Sequence, residues 1–129
     1  MTEGQHLVLV VDDDLAVRES LKFALELEGL EVLACRGGAD LLAHPHLWRA
    51  DCLVLSHHMP AMGGFAVLAR LAALGCRVPV VLTTDHVTDA LRRRAAVAGV
   101  RHVVEKPLLD SALSDSIQDI LCGTGWRAA

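Results

Sequence analysis

Residues 7 to 14 read Leu7-Val-Leu-Val-Val-Asp-Asp-Asp14, a continuous apolar run that ends abruptly in three carboxylates. An apolar run rich in β-branched residues is typical of a strand that is buried on both faces, as in a parallel sheet. Asp14 can cap a helix, and the following residues carry an apolar stripe at helical spacing as far as Gly29. This stretch therefore predicts a buried first strand that leads directly into a helix.

The same alternation of strand and helix continues along the chain. Further strands are predicted at Glu31 to Ala34, Cys52 to Leu55, Val80 to Thr83 and Val103 to Val104, and further helices at Ala39 to Leu47, Phe65 to Ala72, Asp89 to Ala98 and Asp110 to Leu121. Five strands alternating with five helices through short loops favour a single α/β domain, a doubly wound parallel sheet covered on both faces. We expect this domain to span residues 7–122, with an N-terminal extension at 1–6 and a C-terminal tail at 123–129.

Composition excludes several classes of protein. Of the 129 residues 53% are hydrophobic and 22% charged, which argues against disorder. The net charge is −4 and the only basic run is Arg92 to Arg94, so we expect no direct contact with nucleic acid. No apolar run is long enough for a membrane span, and residues 1–6 lack the pattern of a signal peptide. The four cysteines lie far apart, which predicts reduced thiols and a cytoplasmic location.

Polar side chains follow four of the predicted strands: Asp12 to Asp14, Ser56, Thr84 and Lys106. Ligand chemistry in such sheets collects at the carboxyl ends of the strands, so we expect these groups to meet. Adjacent carboxylates repel one another unless a cation compensates, and either Mg²⁺ or the ammonium of Lys106 can do so. The simpler alternative is a solvated strand end with a helix cap. A cis peptide at Lys106-Pro107 would be consistent with a lysine directed inward.

At these positions the chain resembles the receiver domains of bacterial two-component response regulators, over residues 7 to 121. Four motifs carry the resemblance: Val10-Val-Asp-Asp-Asp14, Leu53-Val-Leu-Ser-His-His-Met-Pro-Ala-Met-Gly-Gly64, Val81-Leu-Thr-Thr84 and Val104-Glu-Lys-Pro107. The resemblance implies the flavodoxin-like (βα)5 fold with strand order 2-1-3-4-5. It also implies a role in phosphorelay signal transduction.

The resemblance assigns a role to each matching residue. Asp12 and Asp13 correspond to the acidic pair that holds Mg²⁺, and His58 to the position that supplies a backbone carbonyl to the metal. Thr84 corresponds to the switch hydroxyl that closes onto a bound phosphoryl group, and Lys106 to the lysine that pairs with that group. Met62-Gly63-Gly64 belongs to the loop that turns beneath the site.

Two positions depart from the family pattern. Ser56 stands where the family has its phosphate-accepting aspartate, and a neutral hydroxyl is a poor nucleophile without a neighbouring base. The metal pocket also falls from three carboxylates to two, which predicts a weak Mg²⁺ site. Val103 stands where the family commonly has an aromatic ring that moves with the switch threonine. Both departures weaken the same mechanism, so we interpret the chain as a pseudo-receiver that is not phosphorylated.

Two alternatives remain open for Ser56. The natural protein could carry an aspartate there that has been replaced by design, which would make the chain a phosphate-accepting receiver. Ser56 could instead be the nucleophile of a hydrolase or a serine phosphotransfer site, although His57 on an extended segment should point away from it. The loop histidines His44, His46, His57 and His58 could form a metal site, but they lack acidic or cysteine partners at ligand spacing, so we expect them to face solvent.

The predicted output is a protein–protein contact. We expect no enzymatic activity, no small-molecule substrate and no membrane contact, and as partners a histidine kinase or an effector domain or protein. A homodimer could form through the fourth helix, fifth strand and fifth helix, where Arg92 to Arg94 would meet Asp110, Asp115 and Asp119. A solvated surface is the alternative. The sequence leaves open whether the chain stands alone or is the front of a longer regulator.

Overall fold

The computed structural model describes residues 5–108 and 111–128, with side chains described through Cys122. The strands are β1 (Leu7–Val11), β2 (Glu31–Cys35), β3 (Cys52–Ser56), β4 (Val80–Thr84) and β5 (His102–Glu105). The helices are α1 (Leu15–Leu27), α2 (Gly38–Leu42), α3 (Gly64–Ala73), α4 (Asp89–Val97) and α5 (Ala112–Ala128). All strand pairs are parallel, and the strand order is β2-β1-β3-β4-β5. The predicted doubly wound (βα)5 fold is confirmed.

The first helix begins and ends as its sequence predicts. The Asp14 side chain accepts hydrogen bonds from the backbone N–H groups of Ala16 and Val17, which satisfies donors that a helix start leaves free. Gly29 follows the helix at φ +89°, a conformation that glycine adopts without steric cost. These two ends fix where the chain leaves β1 and enters β2, and so they position the acidic residues between β1 and α1.

The two faces of the sheet bury different sets of side chains because successive residues in a strand point to opposite sides. One apolar cluster joins the sheet to α1 and α5 and contains Val8, Val10, Val54 and Val81 together with Leu21, Leu25 and Ile117. The other joins the sheet to α2, α3 and α4 and contains Leu9, Val11, Leu55 and Leu82 together with Val67 and Ala95. The alternation continues to the carboxyl edge of the sheet, where the polar residues follow.

The second helix is shorter than predicted. Its helical residues end at Leu42, and a separate 3₁₀ turn covers Leu47–Arg49. Pro45 explains the interruption, because proline lacks the backbone N–H that a continuing helix needs and disfavours helical geometry at the preceding residue. The prediction of one helix over Ala39 to Leu47 was therefore wrong.

The last helix runs past the predicted end at Leu121 as far as Ala128, while its predicted first residue, Asp110, lies outside the described residues. Residues 1–4 of the predicted N-terminal extension also lie outside them. Within the described part of the chain, no helix combines the length and apolarity needed to cross a membrane.

Candidate functional site

A buried ion pair lies at the carboxyl end of β1. Asp12 is 2% exposed, and its Oδ2 accepts a hydrogen bond of 2.9 Å from Lys106 Nζ. Lys106 follows β5 and donates its backbone N–H to the Thr84 carbonyl at 2.7 Å. The pairing of β4 with β5 therefore fixes the backbone position from which the lysine side chain extends. The other carboxylate oxygen, Asp12 Oδ1, accepts the backbone N–H of Asp14 at 2.9 Å. The carboxylate is thus neutralised and hydrogen-bonded inside the protein, as a buried charge requires.

Ser56 is the last residue of β3 and is 1% exposed. Its Oγ accepts a hydrogen bond of 3.2 Å from Lys106 Nζ and donates to the His58 carbonyl at 3.4 Å. The structure therefore brings together Asp12, Ser56 and Lys106, three of the residues singled out in the sequence. The lysine bridges the carboxylate and the hydroxyl as a donor to both.

The arrangement gives Ser56 no base within the described residues. Lys106 faces it as an ammonium group that is paired with Asp12, and His57, its neighbour in sequence, directs its ring nitrogen to another residue. A hydroxyl activated for attack needs a base within hydrogen-bond distance. Ser56 acts here as a hydrogen-bonding group inside a satisfied polar cluster.

The residues that would hold Mg²⁺ form an incomplete set. Asp12 and Asp13 supply two carboxylates, but one oxygen of Asp12 is already taken by Lys106, and the His58 carbonyl accepts from Ser56. Among the described residues there is no group of three or more histidine, cysteine, aspartate or glutamate side chains that could hold a metal ion. Mg²⁺ prefers octahedral oxygen coordination with carboxylates, so this donor set fits the ion poorly.

Thr84 lies at the same edge, but its side chain belongs to the other face of the sheet. It is 4% exposed, and its Oγ1 lies 3.4 Å from His57 Nδ1 and 3.4 Å from the backbone nitrogen of His86, which donates to it. No hydrogen bond joins Thr84 to Ser56 or to the Lys106 side chain, all of which the structure describes. Val103 is half-buried and packs on this same face.

Two aromatic contacts extend from His57 toward α4. The His57 ring meets the Phe65 ring edge to face, with centroids 5.3 Å apart and an angle of 75°. The Arg94 guanidinium lies 4.0 Å from the centroid of the Phe65 ring, within the range of a cation–π contact. Burial lowers the pKa of His57, and the nearby Arg94 and His58 charges lower it further, whereas Asp85 opposes the change. His57 is therefore held in its neutral form more strongly than a free histidine.

Gly64 explains why the loop after β3 can pass so close beneath the site. A Cβ at this position would lie 2.7 Å from the Ser56 carbonyl oxygen and 3.0 Å from His57 Cα. Its own N–H donates to the His57 carbonyl at 2.9 Å, which ties the first turn of α3 to the end of β3. A Cβ at Gly63 would meet only the His57 oxygen, at 3.4 Å. The close approach depends on Gly64 alone.

A groove of about 750 Å³ adjoins the ion pair. The acidic residues Asp13 and Asp14 line one part of it, and the segment of Lys106, Pro107 and Leu108 lines another; the Lys106–Pro107 peptide is cis. A further wall is the side of α1 with Ala16, Val17, Ser20, Leu21 and Ala24, and His58 and Asp85 also line the groove. The site therefore opens toward solvent along α1.

A doubly wound sheet that carries an acidic pair, two hydroxyls and a lysine at its carboxyl edge defines a receiver-type signalling module. Residues 8–118 match the family model of the response regulator receiver domain. The chain belongs to this family.

Relatives and solved structures agree with that assignment. The chain is 36% identical over 110 residues to the C4-dicarboxylate transport transcriptional regulatory protein DctR of Rhodobacter capsulatus, covering 84% of this chain and 56% of that protein. It is 35% identical over 111 residues to the transcriptional regulatory protein FixJ of Azorhizobium caulinodans, covering 86% and 53%. The solved structure of the response regulator StyR superposes with a TM-score of 0.85 at 34% identity, covering 96% of this chain and 63% of that one. The chain thus spans about half the length of the relatives that it matches.

Sequence reasoning found the strand-end residues and missed the groups that come from helices. Arg18 on α1 donates to the Asp12 carbonyl at 2.8 Å, and Phe65 and Arg94 extend the site toward α4. Arg18 follows Asp14 by one helical turn, a spacing that places it over the end of β1 and could have signalled this contact.

Proposed function

We propose that this receiver domain transmits signals without accepting a phosphoryl group and acts through protein contacts. The observation that carries the proposal is the position of Ser56 Oγ, which is buried beside Lys106 and bonded to the His58 carbonyl, with no base facing it among the residues that the structure describes. A carboxylate at that position attacks phosphorus with a charge that it already has, whereas a serine hydroxyl must first lose a proton. Lys106 stabilises negative charge and removes no proton while it is paired with Asp12.

Receiver domains typically bind Mg²⁺ at the phosphorylation site, and we infer that this chain binds it more weakly than a receiver with three carboxylates. Lys106 already supplies a positive charge to Asp12 at 2.9 Å, so the charge of this one carboxylate is balanced without a metal. An entering ion would have to compete with that ammonium for the carboxylate.

Receiver domains interact with histidine kinases and effectors, and we infer a partner of this kind for the surface of α1. Phe23 and Leu27 on this helix are 67% and 73% exposed, and they lie one turn apart on the side of Ala16 and Ser20. The groove beside α1 leads from this helix to the ion pair. Exposed apolar side chains beside a groove are a common feature of protein-binding surfaces.

A homodimer through α4, β5 and α5 is a second arrangement that we propose to test. Arg92 and Arg93 are exposed on α4, and Asp115 is exposed on α5. Some of the charges on this face are already paired within the chain, since Asp119 accepts from His102 at 2.8 Å and Arg94 lies on Phe65. Light scattering at low and high salt measures the oligomeric state directly. A dimer held by Arg92 and Arg93 should dissociate at high salt, because salt screens the charges of these side chains.

We also propose a cytoplasmic location, which the cysteines support. All four are free, and burial raises the pKa of Cys35 to about 11 and that of Cys52 to about 12. Thiols with such high pKa values form little thiolate and are therefore inert.

Intact mass spectrometry tests the main proposal. The domain is incubated with a small phosphodonor and Mg²⁺, and Ser56→Asp is treated in parallel as the matched variant. We expect no adduct on the wild type and one phosphoryl group on the variant, labile to hydroxylamine as an acyl phosphate is. A hydroxylamine-labile adduct on the wild type would mean that another carboxylate accepts the phosphoryl group, and a stable adduct on Ser56 would mean serine phosphotransfer; either result refutes the proposal.

A further inference from the structure

The side chains of His57 and Phe65, here named the ring bridge, lie between the switch hydroxyl and α4. At one end His57 Nδ1 is 3.4 Å from Thr84 Oγ1. At the other end the Arg94 guanidinium lies over the Phe65 ring, 4.0 Å from its centroid. Between them the two rings meet edge to face at 5.3 Å, a favoured aromatic geometry. An unbroken series of contacts thus runs from β4 through the loop after β3 and α3 to α4.

The helix at the end of this series is lightly anchored. Of its residues Asp89–Val97, only Ala95 is buried, whereas α3 buries Gly64, Val67, Leu68 and Leu71. An element with few buried apolar side chains can shift at low cost, which makes α4 suited to occupy more than one position. Ala95 and the partly buried Leu91 pack α4 against the core, and the contact of Arg94 with Phe65 adds a tie between α4 and α3.

We propose that the ring bridge couples the Thr84 hydroxyl to the position of α4, in place of an aromatic side chain on β5. Val103 on β5 has no ring, but Phe65 packs against the same apolar cluster from α3. A change at Thr84 would move His57, tilt Phe65 and weaken the cation–π contact of Arg94. Coupling is reciprocal, so a partner whose carboxylates draw Arg94 away from Phe65 would alter the surroundings of Thr84.

A double-mutant cycle tests this coupling. Thr84→Val removes the hydroxyl at nearly constant volume, and Arg94→Gln removes the cation; unfolding equilibria are measured for the wild type, both single variants and the double variant. We expect the unfolding constant of the double variant to differ from the product of the single effects by at least about threefold. Arg93→Gln is the matched control, because Arg93 is exposed on the same helix and no ring contact of its guanidinium is present among the described side chains. For Thr84→Val combined with Arg93→Gln, the unfolding constant should differ from the product of the single effects by less than about twofold.

Two further variants separate coupling from a general loss of structure. In a Phe65→Leu background, the deviation between positions 84 and 94 should fall to that of the control pair. Thr84→Ser keeps the hydroxyl, so its effects and those of Arg94→Gln should be additive, as for the control pair. Thr84→Ala removes the hydroxyl and takes the place of Thr84→Val if that variant does not fold. Additive effects of Thr84→Val and Arg94→Gln, or a deviation that survives Phe65→Leu, would overturn the proposal. The result is independent of phosphorylation, because the cycle uses the untreated domain and leaves Ser56 unchanged.

Discussion

The two faces of the sheet differ sharply at its carboxyl edge. On the side of α1 and α5, the carboxylate of Asp12, the ammonium of Lys106 and the hydroxyl of Ser56 are joined at 2.9 and 3.2 Å. On the side of α3 and α4, the hydrogen bonds of the Thr84 hydroxyl to described residues are all long, at 3.4 and 3.5 Å, and go to His57 and His86. Both sets follow the same parallel strands, so the difference comes from the side chains and not from the backbone.

The difference separates what maintains the fold from what can respond to a signal. Buried charges at short distance cost much to separate, so the first set fixes the strand ends. Long hydrogen bonds and ring contacts are each weak, so the second set can rearrange at low cost. Among the described residues, the Ser56 hydroxyl bonds to Lys106 and to the His58 carbonyl, and no hydrogen bond links it to Thr84 on the other face.

Replacing Lys106 should have the largest effect on stability. Lys106→Met leaves the Asp12 carboxylate, whose side chain is 3% exposed, without its counter-charge, and we expect the free energy of unfolding to fall by about 2–4 kcal/mol. Lys22→Met is the matched control, because the Lys22–Glu26 pair is 40% and 45% exposed and such pairs contribute only about 0–1 kcal/mol. Urea denaturation in the presence of a chelator measures the free energy of unfolding of both variants and of the wild type.

The double variant Asp12→Asn, Lys106→Met identifies the cause of that loss. Removing both charges should cost less than the sum of the two single changes, because no unpaired charge is left in the interior. Equal, small losses for Lys106→Met and Lys22→Met would show that the buried pair at the sheet edge is held no more strongly than an exposed pair on α1.

Gly64 lies beneath both sets and should be the next most sensitive position. Gly64→Ala brings a Cβ within 2.7 Å of the Ser56 carbonyl oxygen, a backbone atom that cannot move aside, and we expect a loss of about 1–3 kcal/mol. Gly63→Ala has its nearest contact at 3.4 Å and should change stability by less than about 0.5 kcal/mol. Thermal unfolding compares the adjacent variants, and a larger loss for Gly63→Ala would contradict this account of the loop.

A carboxylate at position 56 should restore the dependence on Mg²⁺. Ser56→Asp adds a third negative charge beside Asp12, so we expect lower stability than the wild type without metal. Mg²⁺ should then raise the free energy of unfolding by about 1 kcal/mol at a concentration of about five times its dissociation constant. The wild type and the neutral variant Ser56→Asn should gain much less. A wild type that gains as much as Ser56→Asp would mean that Lys106 does not exclude the metal from Asp12.

The sequence predicted the ion-pair side of the edge better than the ring side. Asp12, Ser56 and Lys106 each follow a recognisable strand, and parallel strands must end at one edge, so their meeting follows from the order of the elements. The ring bridge joins a loop to a helix, and it depends on the face of α3 that Phe65 occupies and on the turn of α4 that Arg94 reaches. Helix boundaries predicted from sequence are uncertain by one or two residues, and an error of that size changes which face of α3 and which turn of α4 these side chains occupy.

The same reasoning explains the error in the second helix. Apolar residues from Ala39 to Leu47 favour one continuous element, but Pro45 lies within them and the helix ends before it, at Leu42. Strand positions were more reliable, because four of the five strands are apolar runs with clear ends and the parallel fold allows few arrangements of them.

The smallest effect that we predict is a pH dependence from His57, on the ring side of the edge. Its pKa is lowered in the folded protein from the ordinary value of 6.5, first by burial and then by Arg94 and His58. The unfolded chain therefore binds more protons than the folded one just below pH 6.5, so this contribution to stability is present above that pH and is lost as the pH falls through it. His57→Gln has no such group, and urea midpoints at pH about 7.5 and about 5.5 should fall less for the variant than for the wild type. Arg94→Gln removes one cause of the lowered pKa and should give an intermediate loss. If the wild type and His57→Gln lose the same stability between these two pH values, His57 is not held neutral by its surroundings, and the contrast between the two faces lies in hydrogen-bond length alone.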